Sequence, residues 1–499
     1  MQHKNDTENG LTRRSFLGTT AGAGALASAV LGFRDMSPAS QLPAQEGHRT
    51  GAQTVSRILS RYATGLRYED LSPEVVRYGK HLLLDTIGVA LGGYTSEPSR
   101  ITRSVVSELG GRPEATIIGS GEKTSASLAA LSNGVMVRYL DFMDVYFNLD
   151  GPHPSENIPV ALAAAERRHA SGKEMLVGMF LGYEIQGRMA DTWSTVRSGL
   201  NFVSMGGYVT PIVAGRILNL TEDQMVNAIG LAGCTSHTTN YLGDQVTMIK
   251  SLGYPLTGQR GVEAVIMAQK GMTGPEDVVE VFMRLIKFAG DLKPLTGGGD
   301  KPRILGAAIK PYAAEYMSHS ALEALYGILK EHPLKAADIE SMHLQTFSTA
   351  ISVLARDGAY QPQTKETADH SLPYCLAVGL IEGDIGAEQF AREQWKDPKV
   401  LDLMSRIKIT EDPALSKLYP PARPANLEIR TKDGNLYRRR IDYPKGDPHN
   451  PMSDEEVKAK FHKLARPLMK EDRINAIIDC TDGIEYIADT GQLMKLLVV

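Results

Sequence analysis

Cysteine is scarce in this chain, and its three cysteines lie far apart. Cys234, Cys375 and Cys480 form no C-x-x-C pair, so the sequence offers neither a disulfide framework nor a cysteine-rich zinc or iron–sulfur site. An excess of positive charge is also missing, because the 499 residues carry a formal net charge of −4. Nucleic acids and anionic membranes select basic surfaces, so neither is an expected partner.

Long apolar runs and nucleotide-binding fingerprints are missing as well. Outside the N-terminal leader, no segment approaches the run of about 18 apolar residues that a membrane-spanning helix needs. The glycines form no strand–turn–helix pattern that would hold a dinucleotide or a triphosphate. We therefore expect no cofactor, and no integral membrane segment beyond the leader.

The leader itself, TRRSFLGTTAGAGALASAVLGF, differs from the rest of the chain. Arg13 and Arg14 precede a short, weakly apolar run rich in alanine and glycine, which is the order of a twin-arginine export signal. Residues 1–50 are thus predicted to be a signal and linker, and the protein to be periplasmic or otherwise extracytoplasmic. An uncleaved amphipathic or disordered leader is the alternative.

Helical patterns dominate from residue 51 onward. Ser72 is predicted to cap a helix so dense in apolar residues that it should be buried on most sides. Thr221 with Gln224, and Ser453 with Glu456, have the spacing of capping boxes. Many of the helical segments are rich in alanine and glycine, which favours close packing of helices in an all-helical domain.

The pattern changes after about residue 305, where strand-like segments appear. IESMHLQTF alternates in polarity, and ANLEIRTK and NLYRRRIDY flank Asp433-Gly434-Asn435, a hairpin signal. From residue 448 to the end the pattern is helical again. Residues 306–447 are therefore predicted to be an α+β region between two helical ones.

The chain from about residue 70 to 465 resembles the MmgE/PrpD family, whose members include dehydratases, decarboxylases and an epimerase acting on carboxylic acids. The stretches that carry the resemblance are HLLLDTIGVALGG, NGVMVRYLDFMDV, GPHPSENIPVALAAAE, MIKSLGYPLTGQRGVEAVIMAQKGMTGP, IKPYAAEYMSHSALEAL, ETADHSLPYCLAVGLIEG and PMSDEEVKAKFHKLA. The resemblance implies a mainly α homodimer in which both chain ends (51–305 and 448–499) form a large all-helical domain. A smaller α+β lid domain (306–447) would be inserted, with the active site in the cleft between them.

The same resemblance implies five catalytic residues: Asp141, His153, Lys250, Lys310 and Tyr374. An imidazole ahead of a helix suits proton exchange near neutral pH, and a lysine at a helix start suits binding of a carboxylate. A tyrosine can donate a hydrogen bond to a carboxylate or a leaving hydroxyl. Each of the five also has a structural alternative, as a capping, core or surface residue.

Three further residues, Asp144, His319 and His370, are possible site members, whereas Asp150 is interpreted as a turn residue. A metal site formed by Asp141, Asp144 and His153 would fit no standard ligand spacing, and the resemblance adds no metal. We therefore expect no metal.

Two departures from the family pattern affect the substrate. Val145 stands where the family commonly has threonine, and SGLNFVSMGGYVTPIVAG (198–215) lacks the histidine usual there. An apolar wall of small residues is expected in its place, which puts 2-methylcitrate or cis-aconitate as substrate in doubt.

The resulting hypothesis is an exported, cofactor-independent lyase that moves the proton next to a carboxylate. In it, Lys250 and Lys310 clamp carboxylates, His153 acts as base or acid and is oriented by Asp141, and Tyr374, with His319, protonates a leaving hydroxyl. A dehydratase or hydratase resembling 2-methylcitrate dehydratase is favoured. The alternatives are an epimerase or isomerase, a decarboxylase, and a non-catalytic relative that binds a small molecule.

Overall fold

The computed structural model describes residues 53–239, 246–297 and 301–499. The predicted signal and linker therefore lie outside the described residues. Helices dominate the described part, which confirms the mainly α prediction. Those helices are α1 (Val55–Gly65), α2 (Pro73–Gly93), α3 (Glu97–Leu109), α4 (Ala126–Tyr139), α5 (Ile158–Arg168), α6 (Gly172–Thr192), α7 (Gly206–Ile217), α8 (Glu222–Gly233), α9 (Ile249–Gln269), α10 (Val278–Leu285), α11 (Lys293–Thr296), α12 (His319–Glu331), α13 (Ser348–Leu354), α14 (Lys365–Ala368), α15 (Leu372–Glu382), α16 (Ala387–Ala391), α17 (Pro398–Ser405), α18 (Pro413–Ser416), α19 (Asp454–Ala465), α20 (Glu471–Asp482) and α21 (Gly491–Leu496).

The predicted helix starts are confirmed in detail. The Ser72 hydroxyl accepts a hydrogen bond from the backbone N–H of Val75, and Pro73 occupies the first position of α2. The capping boxes at the starts of α8 and α19 both form. Each box satisfies two backbone groups that a bare helix end would leave unpaired.

Strands form two sheets. The short strands β1 (Ala115–Thr116) and β2 (Lys123–Thr124) pair antiparallel, and a four-stranded sheet has the order β4-β3-β5-β6. Its members are β3 (Ile339–Thr346), β4 (Ile407–Glu411), β5 (Ala425–Thr431) and β6 (Leu436–Ile441). The three strands and the hairpin predicted from the sequence are confirmed, whereas β4, which pairs parallel with β3, was not predicted.

Close packing of helices places the elements that carry the site. Helix α4 lies against α2 and α9, and α19, from the end of the chain, packs against α2. At Gly93, a Cβ would come within 2.2 Å of the Met136 carbonyl oxygen, so only glycine permits this approach of α2 to α4. Asp141, which follows α4, is thereby held beside Lys250 near the start of α9.

Residues Thr54–Val499 form one compact unit. The predicted division of this unit at residues 305 and 447 stays a prediction. Among the described residues, no helix has both the length and the apolar character needed to span a membrane.

Candidate active site

A cavity of about 360 Å³ lies where several loops meet. Polar side chains and backbone form one part of its lining, and apolar side chains form the other. The polar part comprises Arg138, Asp141, Asp150, Gly151, His153, Ser194, Arg197, Asn201, Lys310, Glu315, Thr349 and His370. The apolar and aromatic part comprises Val145, Phe147, Leu149, Val196, Phe202, Tyr316, Met317, Val353 and Tyr419.

Asp141 is the centre of the polar part. It follows the end of α4 and has a φ of 53°, a left-handed conformation that is uncommon outside glycine and costs backbone energy. Lys310 holds this residue by two hydrogen bonds, because its Nζ lies 3.0 Å from the Asp141 carbonyl oxygen and 2.6 Å from Oδ1. Lys250 Nζ lies 2.8 Å from Oδ2. The two lysines thus fix a strained aspartate at the cavity wall.

Lys250 connects Asp141 to a second buried carboxylate, Asp369. Its Nζ lies 2.8 Å from each Asp369 carboxylate oxygen and 3.3 Å from His370 Nδ1. Lys365 Nζ adds a contact of 2.6 Å to Asp369 Oδ2. Sequence reasoning missed Asp369 and Lys365; the available signal was their i,i+4 spacing directly before His370.

These contacts keep both carboxylates ionised. Burial alone would raise the pKa of Asp141, but the nearby ammonium groups of Lys250 and Lys310 outweigh burial and hold it well below its usual value. Burial is likewise outweighed at Asp369, whose pKa is lowered by Lys250 and Lys365. The result is a buried network of fixed charges beside the cavity.

One oxygen each of Asp141 and Asp369 and one ring nitrogen of His370 lie within 4.8 Å of one another, close enough to share a cation. The Lys250 ammonium lies in hydrogen-bonding range of both carboxylates. This ammonium already supplies the positive charge that the two carboxylates need. The three residues therefore fit a bound lysine side chain and not a metal ion. Lys250 was expected to clamp a substrate carboxylate; instead it binds two protein carboxylates and does not line the cavity.

His153 lines the cavity as a neutral imidazole. Its Nδ1 lies 2.6 Å from the Asp144 carbonyl oxygen, which can only accept, so Nδ1 carries the proton and Nε2 is left as a base. Burial, reinforced by the positive charges of Arg138 and Lys310, lowers the pKa of His153 well below its usual value. The expectation that Asp141 orients His153 is corrected: the Asp144 carbonyl does.

His370 repeats this arrangement on the same cavity. Its Nδ1 lies 2.5 Å from Asp369 Oδ1, so the Nδ1–H donates to the carboxylate. Burial lowers the pKa of His370 from its usual value, and Lys250 adds to that effect. Two neutral imidazoles therefore line one cavity.

Glu315 is a cavity residue that sequence reasoning missed. Its Oε2 accepts a hydrogen bond of 2.7 Å from the Met317 N–H, and burial raises the pKa of its carboxyl to about 7. Its acid form is therefore still present in substantial amount near pH 7, where an ordinary glutamate is ionised. The only signal in the sequence was its place between Lys310 and His319 in the IKPYAAEYMSH stretch.

Three other residues considered in the sequence analysis make structural contacts. Asp144 does not line the cavity, and its Oδ1 binds the N–H and the hydroxyl of Ser155 at 3.1 and 2.5 Å. Asp150 lines the cavity and holds the backbone N–H of Thr195 at 2.7 Å. His319 is buried, donates from Nε2 to the Ala314 carbonyl at 3.1 Å, and does not line the cavity.

Tyr374 is also placed away from the cavity lining. It is fully buried in α15 and packs against the rings of Phe390 and Trp395, with centroids 6.1 and 6.4 Å away. Burial raises its pKa above the usual value. The catalytic role of Tyr374 stays a prediction, and its contacts with Phe390 and Trp395 do not support it.

A buried lysine joins the two loops that carry Asp141 and Lys310. Lys460, in α19, donates from Nζ to the carbonyl oxygens of Phe142 and Lys310, each at 2.8 Å. The same Nζ lies 2.6 Å from Asp85 Oδ1 in α2, and both side chains are at most 5% exposed. Lys460 therefore positions the site without lining the cavity.

Replacing this lysine gives a testable result. Lys460→Met leaves Asp85 buried without its partner, so we expect a loss of about 3–5 kcal/mol of stability, seen as a lower melting temperature. The double variant Asp85→Asn/Lys460→Met should recover most of that loss. Lys458→Met, which removes an exposed pair from the same helix, should cost at most about 1 kcal/mol. Equal melting temperatures for the Lys460 and Lys458 variants would contradict this account.

Comparison with known proteins finds two family models and several relatives that match this chain. Models of the MmgE/PrpD N-terminal and C-terminal domains match residues 57–295 and 312–483. The chain is 24% identical over 462 residues to a cis-aconitate decarboxylase of Homo sapiens, covering 88% of this chain and 94% of that protein. The corresponding enzyme of Mus musculus is 23% identical over 473 residues, with 89% and 93% covered. A 2-methylcitrate dehydratase of Cupriavidus necator is 28% identical over 419 residues, with 76% and 83% covered.

Proposed function

Because this chain belongs to the MmgE/PrpD family, we propose that it is a lyase that removes the proton next to a substrate carboxylate and expels a hydroxyl group. The observation that carries this proposal is a neutral His153 on the same cavity as the ammonium of Lys310. A free base and a fixed positive charge are the two parts that abstraction of an α-proton needs. The dehydratase and decarboxylase relatives support lyase chemistry in general.

The chain's own residues suffice for each proton movement. With the substrate carboxylate beside Lys310, His153 Nε2 takes the α-proton, and the C–H electrons move into an aci-carboxylate. Lys310 and Arg138 stabilise that charge as it develops. The electrons then form the C=C bond while the C–O bond breaks, and Glu315 supplies the proton that turns the leaving hydroxide into water. His153 afterwards returns its proton to the carboxylate form of Glu315 through solvent.

A second candidate function is epimerisation at the same carbon. It is favoured by one observation: His153 and His370, both neutral with Nδ1 bonded to an acceptor, line the same cavity. One imidazole would remove the α-proton at its Nε2. The other, protonated at Nε2 from solvent beforehand, would return a proton to the opposite face and become neutral.

The two functions are separated by product analysis. The purified protein is incubated with 3-hydroxy, 2-hydroxy and unsaturated carboxylic acids, and products are followed by proton NMR. New vinyl signals are expected if the protein is a dehydratase. Inversion without vinyl signals would favour the epimerase, and ligand binding with neither change would favour a non-catalytic relative.

Glu315→Gln tests the proton donor. Because the pKa of Glu315 is about 7, the active acid form is lost as pH rises, so wild-type kcat/KM should fall above about pH 7. Because the pKa of His153 lies well below its usual value, His153 stays neutral between pH 6 and 7. We therefore expect no fall in kcat/KM from its protonation in that range. Glu315→Gln should reduce kcat by about 10²-fold and abolish the alkaline limb.

The control for this experiment is Glu388→Gln, which removes an exposed carboxylate and should leave kcat/KM and its pH profile unchanged. An alkaline limb that persists in Glu315→Gln would assign it to another group and remove Glu315 from the mechanism.

We also propose that residues 1–50 direct export, as their pattern predicts, and that the protein is a homodimer, as the family resemblance implies. Replacing Arg13 and Arg14 together by lysine should retain the protein in the cytoplasm, as measured by cell fractionation, while Lys4→Arg should not. Periplasmic recovery of the double variant would contradict a twin-arginine signal. Light scattering on the purified protein tests the dimer.

A further inference from the structure

The polar part of the cavity is nearly neutralised by the protein itself. Apart from the Lys460–Asp85 pair, four buried cations surround Asp141 and Asp369 within the described part of the chain. They are Arg138, Lys250, Lys310 and Lys365. Each contacts at least one protein carboxylate, so none is reserved for a ligand.

The carboxylates nearby account for most of this positive charge. Asp141 and Asp369 are ionised, as described above, and Asp144, whose pKa burial raises to about 6, is also ionised near neutral pH. Burial raises the pKa of Glu156 to about 8, so it holds its proton near neutral pH, and that of Glu315 to about 7, so both its acid and its carboxylate forms are present there. These four cations therefore face three anions, or four when Glu315 is ionised. The protein leaves at most one of these positive charges for a ligand to neutralise.

The apolar part of the cavity lining offers no charge that would compensate a second carboxylate. Phe202 packs edge-on against the His153 ring, with centroids 5.6 Å apart, and Met317, Val353 and Tyr419 continue this wall. Phe202 lies in the 198–215 stretch for which an apolar wall was predicted. A carboxylate placed against Phe202, Met317 and Val353 would lose its water without gaining a charged partner from those side chains.

The remaining sources of positive charge are few. Arg197 lines the cavity but is exposed, so its charge is screened by solvent. Residues 240–245 and 298–300, which interrupt the described chain, contain no lysine, arginine or histidine. These two segments therefore contribute no positively charged side chain.

We propose that the substrate is a monocarboxylic acid with an apolar body, and not a di- or tricarboxylic acid. This inference rests on the proposed function, since the single carboxylate would bind beside Lys310 and the body would lie along Phe202, Val353 and Tyr419. A cavity of about 360 Å³ accommodates an acid of this kind. The favoured substrates are 3-hydroxy acids with an alkyl or aryl chain.

The test uses two probes that differ in one group: 3-hydroxyheptanoate and 3-hydroxyheptanedioate, the same chain ending in a second carboxylate. Deuterium incorporation at the α-carbon in deuterated water gives kcat/KM for each, and calorimetry gives each Kd. We expect the monoacid to have a kcat/KM at least about tenfold higher, and a Kd at least about tenfold lower, than the diacid. 2-Methylcitrate and cis-aconitate serve as tricarboxylate probes and should be poorer still.

A substitution in the apolar wall should change this preference. Val353→Lys adds an ammonium where the second carboxylate of the diacid would lie. The ratio of kcat/KM for the monoacid to kcat/KM for the diacid should therefore fall at least about tenfold. Val353→Met, which keeps the wall apolar, is the matched control and should preserve the preference. Circular dichroism of both variants verifies the fold.

The outcomes separate this inference from the proposed function. Exchange of the diacid or of 2-methylcitrate as fast as the monoacid would overturn the substrate class but keep the lyase. Preferential binding of the monoacid with neither exchange nor an unsaturated product would keep the substrate class but contradict the lyase. Binding of no probe would overturn the inference, because the cavity would then not select a carboxylic acid of this class.

Discussion

Lys310→Met should reduce kcat about a thousandfold. The variant keeps most of the side-chain volume but removes the ammonium that contacts both the carbonyl and the carboxylate of Asp141. It also removes the positive charge that stabilises the aci-carboxylate, and loss of one such donor costs about 10²–10³ in rate. Release of the strained Asp141 backbone adds to the loss. The effect should appear in kcat, because this charge is needed most in the transition state.

The experiment compares Lys310→Met with Lys330→Met, a variant at an exposed lysine of α12. Steady-state kinetics are measured on both, with thermal melting to establish that each is folded. The Lys330 variant should behave like the wild type. A Lys310 variant that is folded and has kcat within about tenfold of wild type would remove Lys310 from the chemical step.

His153→Asn should reduce kcat by about 10²–10⁴, the usual contribution of a positioned general base. The asparagine amide can still donate to the Asp144 carbonyl, as Nδ1 of the histidine does at 2.6 Å. It lacks Nε2, however, so the variant separates the structural hydrogen bond from the base. The protein should fold and bind substrate, but it should not exchange the α-proton at a useful rate.

His153→Gln is the matched variant, because its longer amide does not reproduce the bond to Asp144. A buried carbonyl without a donor costs about 1–3 kcal/mol, so we expect a lower melting temperature for Gln than for Asn. Both variants should be nearly inactive. An active His153→Asn would show that this histidine only holds the Asp144 loop in place.

Much of the site could be predicted from local stretches of the sequence. The motifs around Asp141, His153 and Lys310 placed three side chains that the structure brings to one cavity. Helix caps and the hairpin were also predictable, because they depend on a few neighbouring residues. Such features need no knowledge of how distant segments pack.

The parts that sequence reasoning missed depend on contacts between distant segments. Lys250 binds Asp369 across 119 positions of the chain, and no local pattern indicates that a lysine expected to bind substrate is held by a protein carboxylate. The proton on Glu315 results from burial, which only the folded structure provides. Tyr374 matched a family motif, yet its helix packs it against Phe390 and Trp395.

The central claim is that His153, beside Lys310, removes a proton from the carbon next to a carboxylate. The most direct test is proton NMR of 3-hydroxyheptanoate in deuterated water with the wild type and His153→Asn side by side. Our account predicts removal of the α-proton by the wild type, seen as α-deuterium in recovered substrate or as the unsaturated product, and at least about a hundredfold slower removal by the variant. Equal rates for the two proteins would contradict it.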